Sequence, residues 1–243
     1  MQAHATPLRT LQKKHHLILL SHEEFSFFSE KKMLKLPMRH VEHFHRILRR
    51  STPWSALVSD GGCALVHAQV KDNYLHATDT PIIPILSPPY TVDLVQAWVK
   101  PKTLSVILQK AAELGVRRIY FTPSDHSQRE QYNEKRCDAI LENACMQSYN
   151  PLKPTVHILK DLHAIIFPAQ DAAFFGDLSA TQFFTTIQQE KRTSTLFING
   201  PEGGFSPSEI IFLRTKATGV LLSENVLRSE SAAIIALGYL KAR

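Results

Sequence analysis

The feature that most restricts the fold of this chain is a glycine-rich segment near its C-terminus, Ser194–Ile210, with the sequence S-T-L-F-I-N-G-P-E-G-G-F-S-P-S-E-I. An apolar run at Leu196–Ile198 predicts a buried strand. The turn after it holds three of the nine glycines of the chain, Gly200, Gly203 and Gly204. Glycine accepts positive φ angles and leaves the backbone uncovered, so a ligand can approach the peptide groups. The segment therefore predicts a strand followed by a ligand-binding loop.

A helix start comes directly after this loop. Ser206 stands three residues before Glu209, with Pro207 between them, and this spacing is typical of a capping box. The same order recurs further on, because Val220–Leu222 predicts a short strand and Ser229 predicts the cap of a last helix. We expect the two strands to be neighbours whose loops face one pocket, since ligands bind beyond the carboxyl ends of such strands.

The upstream pattern changes once along the chain. Residues 54–89 have short apolar stretches broken by turn residues such as Asp60-Gly61-Gly62, which predicts strands and a hairpin. From Thr91 onward the pattern is α/β. It predicts strands at Val92–Val99, Arg118–Phe121, Val156–Leu159 and Ala164–Phe167, and helices at Lys102–Leu114 and Tyr132–Ser148. Ser87-Pro88-Pro89 is the expected hinge between the two parts.

The two C-terminal segments resemble the RsmE-type ribosomal RNA methyltransferases of the SPOUT superfamily. Gly200–Ile210 matches the family pattern G-P-E-G-G-F/L-S-x-x-E-I, and Leu222–Ala232, L-S-E-N-V-L-R-S-E-S-A, matches L-G-x-R-(I/V)-L-R-T-E-T-A. Gln109–Val116 matches Q-K-x-x-E-L-G-V, and the stretch from His43 to Arg49 matches H-x-x-R-V-L-R with Ile47 in place of valine. The resemblance covers about residues 33–243.

The resemblance implies an α/β chain with a small N-terminal PUA-like β-barrel, then a SPOUT α/β domain with a C-terminal trefoil knot. We accordingly expect a basic N-terminal extension at residues 1–32, the barrel at 33–88 as an RNA-binding domain, and the methyltransferase domain at 89–243. It further implies a homodimer that methylates N3 of one uridine in 16S ribosomal RNA within the small ribosomal subunit. We expect a cytoplasmic protein, because the longest apolar run near the N-terminus, Leu17–Leu20, is shorter than a signal-peptide core of about 7–15 residues.

The cofactor implied by the resemblance is S-adenosylmethionine. The residues expected to bind it are Phe167, Ile198, Gly200, Glu202, Gly203, Gly204, Leu222, Ser223, Asn225, Val226, Leu227 and Ser229. Phe167 is included because Phe167-Pro168 stands where the family often has His-Pro. Leu222, Val226 and Leu227 could form an apolar slot with backbone donors and acceptors for adenine. The alternative for these three residues is ordinary core.

Two residues at the start of the last helix are the expected catalytic residues, Arg228 and Glu230. Methyl transfer requires the reactants to be held in line and the uracil to lose its N3 proton. A cation such as Arg228 could stabilise the developing anion, while Glu202 or Glu230 shapes the loops. Glu230 could instead be a first-turn carboxylate whose negative charge interacts favourably with the helix dipole.

All of the net charge of +6 lies in residues 1–50, which carry ten Lys and Arg against four Asp and Glu. A basic segment on a neutral body favours binding to a polyanion, although a solvated tail is the alternative. The residues expected to bind RNA are His43, Arg46, Arg49, Arg50, Lys100, Lys102 and Lys110. His43 could instead be a surface or capping histidine, and Lys110 could pair with Glu113 on a helix surface.

Two other functions remain open at this stage. An inactive or weak RNA-binding relative is suggested by departures from the family pattern at His126, Asn150, Ser223 and Asn225, of which three replace arginine. A phosphate-binding nucleotide enzyme is disfavoured, because the glycine-rich loop lacks the G-K-S/T end of a P-loop. The three cysteines lack metal spacing and are expected to be buried thiols, and no apolar run reaches the roughly 20 residues that span a bilayer.

Overall fold

The computed structural model describes residues 15–48, 53–62, 64–80, 82–85, 88–128, 132–167, 172–187 and 193–242. Its contacts divide the chain into two compact units. The first comprises the described residues of Met1–Ser87 together with Cys145–Leu152, and the second comprises those of Pro88–Ala144 and Lys153–Arg243.

The first unit is built on a six-stranded sheet with the order β1-β3-β4-β5-β2, and β6 pairs with β4. Its strands are β1 (His16–Leu19), β2 (Met33–Lys35), β3 (Trp54–Ser59), β4 (Ala64–Lys71), β5 (Tyr74–Ala77) and β6 (Ile83–Pro84). Two helices accompany them, α1 (His22–Lys31) and α2 (Met38–Leu48). The β1–β3 pair is parallel, and the remaining pairs are antiparallel. The turn at Asp60 between β3 and β4 is the hairpin that the sequence predicts.

The core of this unit includes residues that the sequence pattern assigned to an N-terminal extension. Ile18 from β1 and Phe28 from α1 are fully buried, together with Val58 and Leu75 from the central strands. Apolar side chains of this size each contribute about 1.5–3 kcal/mol when buried. The expected domain start at residue 33 is therefore too late, because β1 and α1 are part of the same sheet and core.

The start of α1 contains an ion pair that makes the stability of this unit depend on pH. Ser21 and Glu24 form a capping box, and Arg39 donates to both carboxylate oxygens of Glu24. The hydrogen bond from Arg39 is the main reason that the pKa of Glu24 falls from 4.5 to about 2. Since this pKa is lower in the folded chain, the stabilisation is complete above about pH 4.5 and disappears as the pH falls towards about 2.

Glu24→Gln is therefore expected to lower the free energy of unfolding at pH 7 by about 0.5–1 kcal/mol, a value limited by solvent screening. Glutamine keeps one oxygen for the capping hydrogen bond, but it removes the charge and one of the two acceptors of Arg39. The difference from wild type should shrink steadily as unfolding in urea is repeated from pH 5 to pH 2. Glu30→Gln, which changes an exposed carboxylate, is the control. A difference for Glu24→Gln that stays constant over this range would contradict the assignment.

The second unit is built on a parallel six-stranded sheet with the order β12-β10-β11-β7-β8-β9. Its strands are β7 (Thr91–Ala97), β8 (Arg118–Thr122), β9 (Thr155–Ile158), β10 (Ala172–Gly176), β11 (Ser194–Asn199) and β12 (Thr218–Val220). The helices from Thr91 onward are α3 (Pro101–Glu113), α4 (Glu134–Ser148), α5 (Pro207–Arg214) and α6 (Ser229–Lys241). Strands of a parallel sheet are buried on both faces, and accordingly every residue of β7 and β11 after the first is buried.

Three expectations about this sheet are wrong. Ala164–Phe167 is not a strand, because Leu162–Ala164 forms a short 3-10 helix capped by Asp161, and the strand of this region is β10. The strands β11 and β12 are not neighbours, since β10 lies between them. Ser229 does not cap the last helix; it is the first helical residue, and Arg228 occupies the cap position without a side-chain hydrogen bond.

The expected buried thiols are confirmed at Cys137 and Cys145, whereas Cys63 lies outside the described residues. Burial raises the pKa of the Cys137 thiol. Within the described ranges no helix is long and apolar enough to cross a membrane, and no cluster of three or more His, Cys, Asp or Glu side chains could hold a metal ion.

Candidate functional site

A cavity of about 510 Å³ lies at the carboxyl ends of β10, β11 and β12 in the second unit. Its lining comes from the segments that follow these strands: Gly176–Ser179, Asn199–Phe205, and the loop after β12 that leads into α6. Although β11 and β12 are not adjacent, their loops meet here, because β10 between them contributes its own end to the same cavity. The expected common pocket is therefore present, with a third wall that the sequence pattern did not predict.

The glycine-rich loop is held in one conformation by backbone and side-chain contacts. Gly204 has φ +71°, which a side chain would strain, and its N–H donates to the Pro201 carbonyl at 3.0 Å. At Gly200 an added methyl group would come within 3.2 Å of the Phe205 ring. The carboxylate of Glu202 accepts a hydrogen bond from the Lys100 amide at 3.1 Å, which joins the loop to the start of α3.

A buried polar network lies directly behind this loop. Asn199, at the end of β11, donates through Nδ2 to Gln96 Oε1 at 2.8 Å, to the Ser229 carbonyl at 3.0 Å and to Ser229 Oγ at 2.9 Å. Ser229 Oγ donates in turn to the Gly200 carbonyl at 2.7 Å. All three side chains are buried. Because buried polar groups are costly when unpaired, this network fixes the glycine-rich loop relative to the start of α6.

The third wall of the cavity is organised around Asp177, whose side chain is buried at the end of β10. Its carboxylate accepts hydrogen bonds from Ser179 and from Arg214, the latter at 2.7 and 3.0 Å. Burial raises the pKa of Asp177, but the hydrogen bonds from Ser179 and Arg214 outweigh it and hold the pKa below its ordinary value. A methyl group added at Gly219 would approach Asp177 Oδ2 to 2.7 Å, so β12 needs glycine there.

The loop after β8 is joined to the same region through the capping box of α5. Ser206 and Glu209 form the capping box that the sequence predicts. The Glu209 carboxylate also accepts from the Asp125 amide at 2.9 Å and from Ser124 Oγ at 3.1 Å. His126 Nδ1 donates to the Gly204 carbonyl at 3.2 Å, since a carbonyl oxygen only accepts. His126, one of the departures from the expected family pattern, therefore supports the glycine-rich loop.

Most of the residues expected to bind the cofactor line this cavity. They are Gly200, Glu202, Gly203, Gly204, Leu222, Ser223, Asn225, Val226, Leu227 and Ser229. Ile198 is instead fully buried in the core behind it, and Phe167 packs against that core rather than lining the cavity. Val226 is 79% exposed, which contradicts the alternative that it belongs to the core.

The expected catalytic residues flank the cavity without lining it. Arg228 lies between two lining residues, Leu227 and Ser229; its side chain is exposed and has no ion pair with any described residue. Glu230 is half-buried in the first turn of α6. Its position at the N-terminus of that helix fits the alternative that its negative charge interacts favourably with the helix dipole.

The residues expected to bind RNA are described only in part. Lys100 and Lys102 are exposed at the start of α3. Lys110 donates to the Glu113 carboxylate at 2.8 Å, which agrees with the alternative that Lys110 forms an ion pair on the helix surface. His43 and Arg46 belong to α2, but their side chains lie outside the described part of the structure, as do Arg49 and Arg50 entirely.

Sequence reasoning missed Gln96 and Asp177, and it expected Asn199 only as the first residue of the glycine-rich loop and not as the centre of a polar network. Asn199 follows Leu196–Ile198 and Gln96 follows Leu94-Val95, so a polar residue near the carboxyl end of an apolar strand was the available signal. Asp177 was missed because β10 itself was not predicted. Its signal was the apolar run of Ala172–Phe175 that ends in Gly176-Asp177.

A larger cavity, about 860 Å³, is present in the same unit and shares no lining residue with the first. Its lining includes Trp98 and three carboxylates, Asp125, Asp161 and Glu209. Each carboxylate already accepts a hydrogen bond from the protein. The residues that line this cavity include no glycine, and the smaller cavity is therefore the candidate ligand site.

The family model for RNA methyltransferase domains matches residues 87–241, which include all three walls of this cavity. The chain belongs to this family. The ribosomal RNA small subunit methyltransferase E of Mesomycoplasma hyopneumoniae is 31% identical over 163 residues, which are 62% of this chain and 69% of the relative. The ribosomal RNA small subunit methyltransferase E 2 of Borreliella burgdorferi is 22% identical over 182 residues, which are 72% of this chain and 75% of the relative. The RsmE-type resemblance is thereby confirmed.

The overall fold has solved counterparts of this family. The ribosomal RNA small subunit methyltransferase E of Neisseria gonorrhoeae, crystallised with S-adenosyl methionine, superposes with a TM-score of 0.76. The match covers 94% of this chain and 97% of that protein at 21% identity. At this identity the likeness establishes the α/β fold of the family for the chain.

Proposed function

We propose that this protein transfers the methyl group of S-adenosylmethionine to N3 of a uridine in small-subunit (16S) ribosomal RNA. The observation that carries the proposal is the cavity between the glycine-rich loop and the loop before α6, formed by the two segments with the family pattern. Relatives named as small-subunit ribosomal RNA methyltransferases support the choice of substrate.

The residues of the cavity fit S-adenosylmethionine. A volume of about 510 Å³ lies within the roughly 300–1,000 Å³ of small-molecule sites. Leu222 and Leu227 supply apolar walls for a base, and the backbone groups of the glycine-rich loop are open to a ligand at Gly204, where an added methyl group would meet no atom within 4 Å. When bound, the cofactor supplies a methyl group on a positively charged sulfur.

The protein itself contributes position and charge. Arg228, exposed between two lining residues, is proposed to stabilise the negative charge that develops on the uracil ring as N3 loses its proton. Asn199 and Ser229 hold the glycine-rich loop that would orient the cofactor. For Glu230 we propose only an electrostatic role at the start of α6.

Several finer features belong to the same proposal. We expect the first unit to be a PUA-like barrel that binds RNA, the C-terminal segment to form a trefoil knot, and the protein to act as a cytoplasmic homodimer on an assembled small subunit. His43, Arg46, Arg49, Arg50, Lys100 and Lys102 are proposed to contact RNA phosphates. Recognition of RNA generally relies on its shape and on bases that are splayed out of the helix.

The proposal is tested by calorimetric titration with S-adenosylmethionine, with ATP as the control ligand. Methyl incorporation is then measured into small subunits from cells that lack the modification, and the modified base is identified by mass spectrometry. Binding and methylation of uracil N3 are expected. Methyl on ribose or on another base would refute the RsmE-type activity. Binding without turnover would instead favour the inactive relative suggested by Ser223 and Asn225, which both line the cavity.

Gly203→Ala is expected to weaken binding of S-adenosylmethionine by about tenfold or more. An added methyl group at this position would come within 2.9 Å of His126 Cβ, so the glycine-rich loop must move away from the β8 loop. A misplacement of about 1 Å can cost about 100-fold in activity. The measurement is calorimetric titration of the purified variant.

The control for this prediction removes the clash by deleting the His126 side chain instead of restoring Gly203. His126→Gly combined with Gly203→Ala deletes the side chain that the new methyl group would meet, and part of the affinity should return. If Gly203→Ala binds like wild type, the close contact of the two loops is not needed for the site.

A further inference from the structure

Six side chains on the sheet of the first unit form two short rows across the strands β2, β5 and β4. The pairing register places Lys35 opposite Tyr74 and Tyr74 opposite Lys71. It places Met33 opposite His76 and His76 opposite Gln69 in the next row but one. We call these six residues the two-row surface.

The two-row surface is turned away from the core. Side chains alternate between the faces of a strand, and the intervening residues Leu34, Leu75 and Val70 belong to the buried core or pack against it. Met33 is 47% exposed and Tyr74 is 38% exposed. The remaining members are exposed as well, except His76, which is half-buried. A ligand can therefore reach an aromatic residue with a lysine on either side of it.

We propose that the two-row surface binds a single-stranded segment of the RNA substrate. Bases would stack on Tyr74 and on His76, whose rings lie 6.4 Å apart, and Lys35 and Lys71 would contact the phosphates on both sides. The inference rests on the proposed function for the identity of the substrate, and it adds a contact surface that contains none of the residues named above as expected to bind RNA.

The composition of the surface favours RNA over a protein partner. Two of its six residues are lysines and none is a carboxylate, although Asp72 follows Lys71 in the β4–β5 turn. Lysine is depleted in the buried centre of protein interfaces, whereas aromatic rings interleaved with cations are typical of single-stranded nucleic-acid sites. Every base has a flat face, so this surface would add affinity without selecting a sequence.

The test uses the full chain and a fluorescein-labelled, uridine-rich oligoribonucleotide of about 12 nucleotides, with its duplex as a second probe. Fluorescence anisotropy is measured over a range of salt concentrations. Tyr74→Ala is expected to lower affinity for the single strand by about tenfold, and Tyr74→Leu, which keeps an apolar side chain on the strand, should do nearly the same. Tyr74→Phe should bind like wild type. Lys35→Gln with Lys71→Gln should reduce the salt slope by about 1.4.

Two matched changes elsewhere serve as controls. Phe27→Ala removes another exposed aromatic residue of the first unit, and Lys160→Gln removes an exposed lysine of the second unit; neither should change affinity. Wild-type affinity in Tyr74→Leu would overturn the inference. An effect on association with assembled small subunits but not with the oligoribonucleotide would indicate a protein partner and would overturn it equally.

Binding of S-adenosylmethionine and methyl incorporation into small subunits are measured in the same variants. Loss of RNA affinity in Tyr74→Leu with unchanged cofactor affinity supports the two-row surface, whether or not wild type methylates uracil. Methylation by wild type together with normal RNA affinity in Tyr74→Leu overturns the surface and leaves the proposed function standing.

Discussion

Arg228→Ala is expected to lower the turnover number for methylation of small subunits by about 100- to 1,000-fold, because the variant lacks the cation proposed to stabilise the uracil anion. The exposed Arg228 side chain has no ion pair with any residue that the structure describes. Its removal should therefore leave folding intact. Affinity for S-adenosylmethionine should change little, since Leu227 and Ser229 keep their places in the cavity wall.

The measurement is a turnover assay at saturating cofactor and subunit concentrations, combined with calorimetric titration. Arg228→Lys keeps the charge and should retain part of the rate, although lysine lacks the planar fork of arginine. Arg117→Ala is the matched control. It removes an exposed arginine directly before β8, at the edge of the sheet opposite the cavity, and this variant should be fully active. A normal turnover number in Arg228→Ala would exclude the proposed catalytic role.

Asn199→Asp is expected to destabilise the folded protein by about 3–5 kcal/mol at pH 8, because it places an unpaired charge in the buried network. The amide of Asn199 donates to Gln96 Oε1 and to the Ser229 carbonyl, and a carboxylate can donate to neither. The glycine-rich loop depends on this network through Ser229 Oγ and the Gly200 carbonyl. Binding of S-adenosylmethionine should therefore be lost together with stability.

The pH dependence of this variant provides a second measurement. A carboxyl group in this buried site has a raised pKa when folded, so the loss of stability should be largest at high pH and should shrink as protonation restores a donor. Urea unfolding at pH 8 and at pH 5 compares the two states. Asn133→Asp is the control, since Asn133 is an exposed cap of α4 and either residue caps well. A loss for Asn199→Asp that does not depend on pH would contradict this explanation.

The family could be predicted from the resemblance of two segments to known motifs, and the position of the cavity could be predicted from local patterns. The apolar run of β11, the glycines after it and the capping box at Ser206 each depend on residues within a few positions of one another. Local backbone preferences and caps act over such distances, and the structure confirms them with shifts of one or two residues at the ends of elements. The predicted loop before α6 also lines the cavity as expected.

The wrong expectations share a physical cause. The sheet order, with β10 between β11 and β12, depends on pairing between strands that are far apart in the sequence, so no local pattern predicts it. Phe167 was expected beside the cofactor but packs against the core, and Ser229 was taken for a cap although its hydroxyl group joins Asn199 to Gly200. The start of the first unit was placed too late for the same reason, because the pairing of β1 with β3 crosses almost 40 residues.

By itself, the sequence determined which family the chain belongs to, which two loops line the cavity, and where the helix after the glycine-rich loop begins. Only the tertiary structure decided which polar groups stabilise those loops and which side chains share a surface. Asn199, Gln96 and Ser229 meet across three elements, and Lys35, Tyr74 and Lys71 meet across three strands. Contacts of this kind follow from strand register and burial, which arise only when distant parts of the chain pack together.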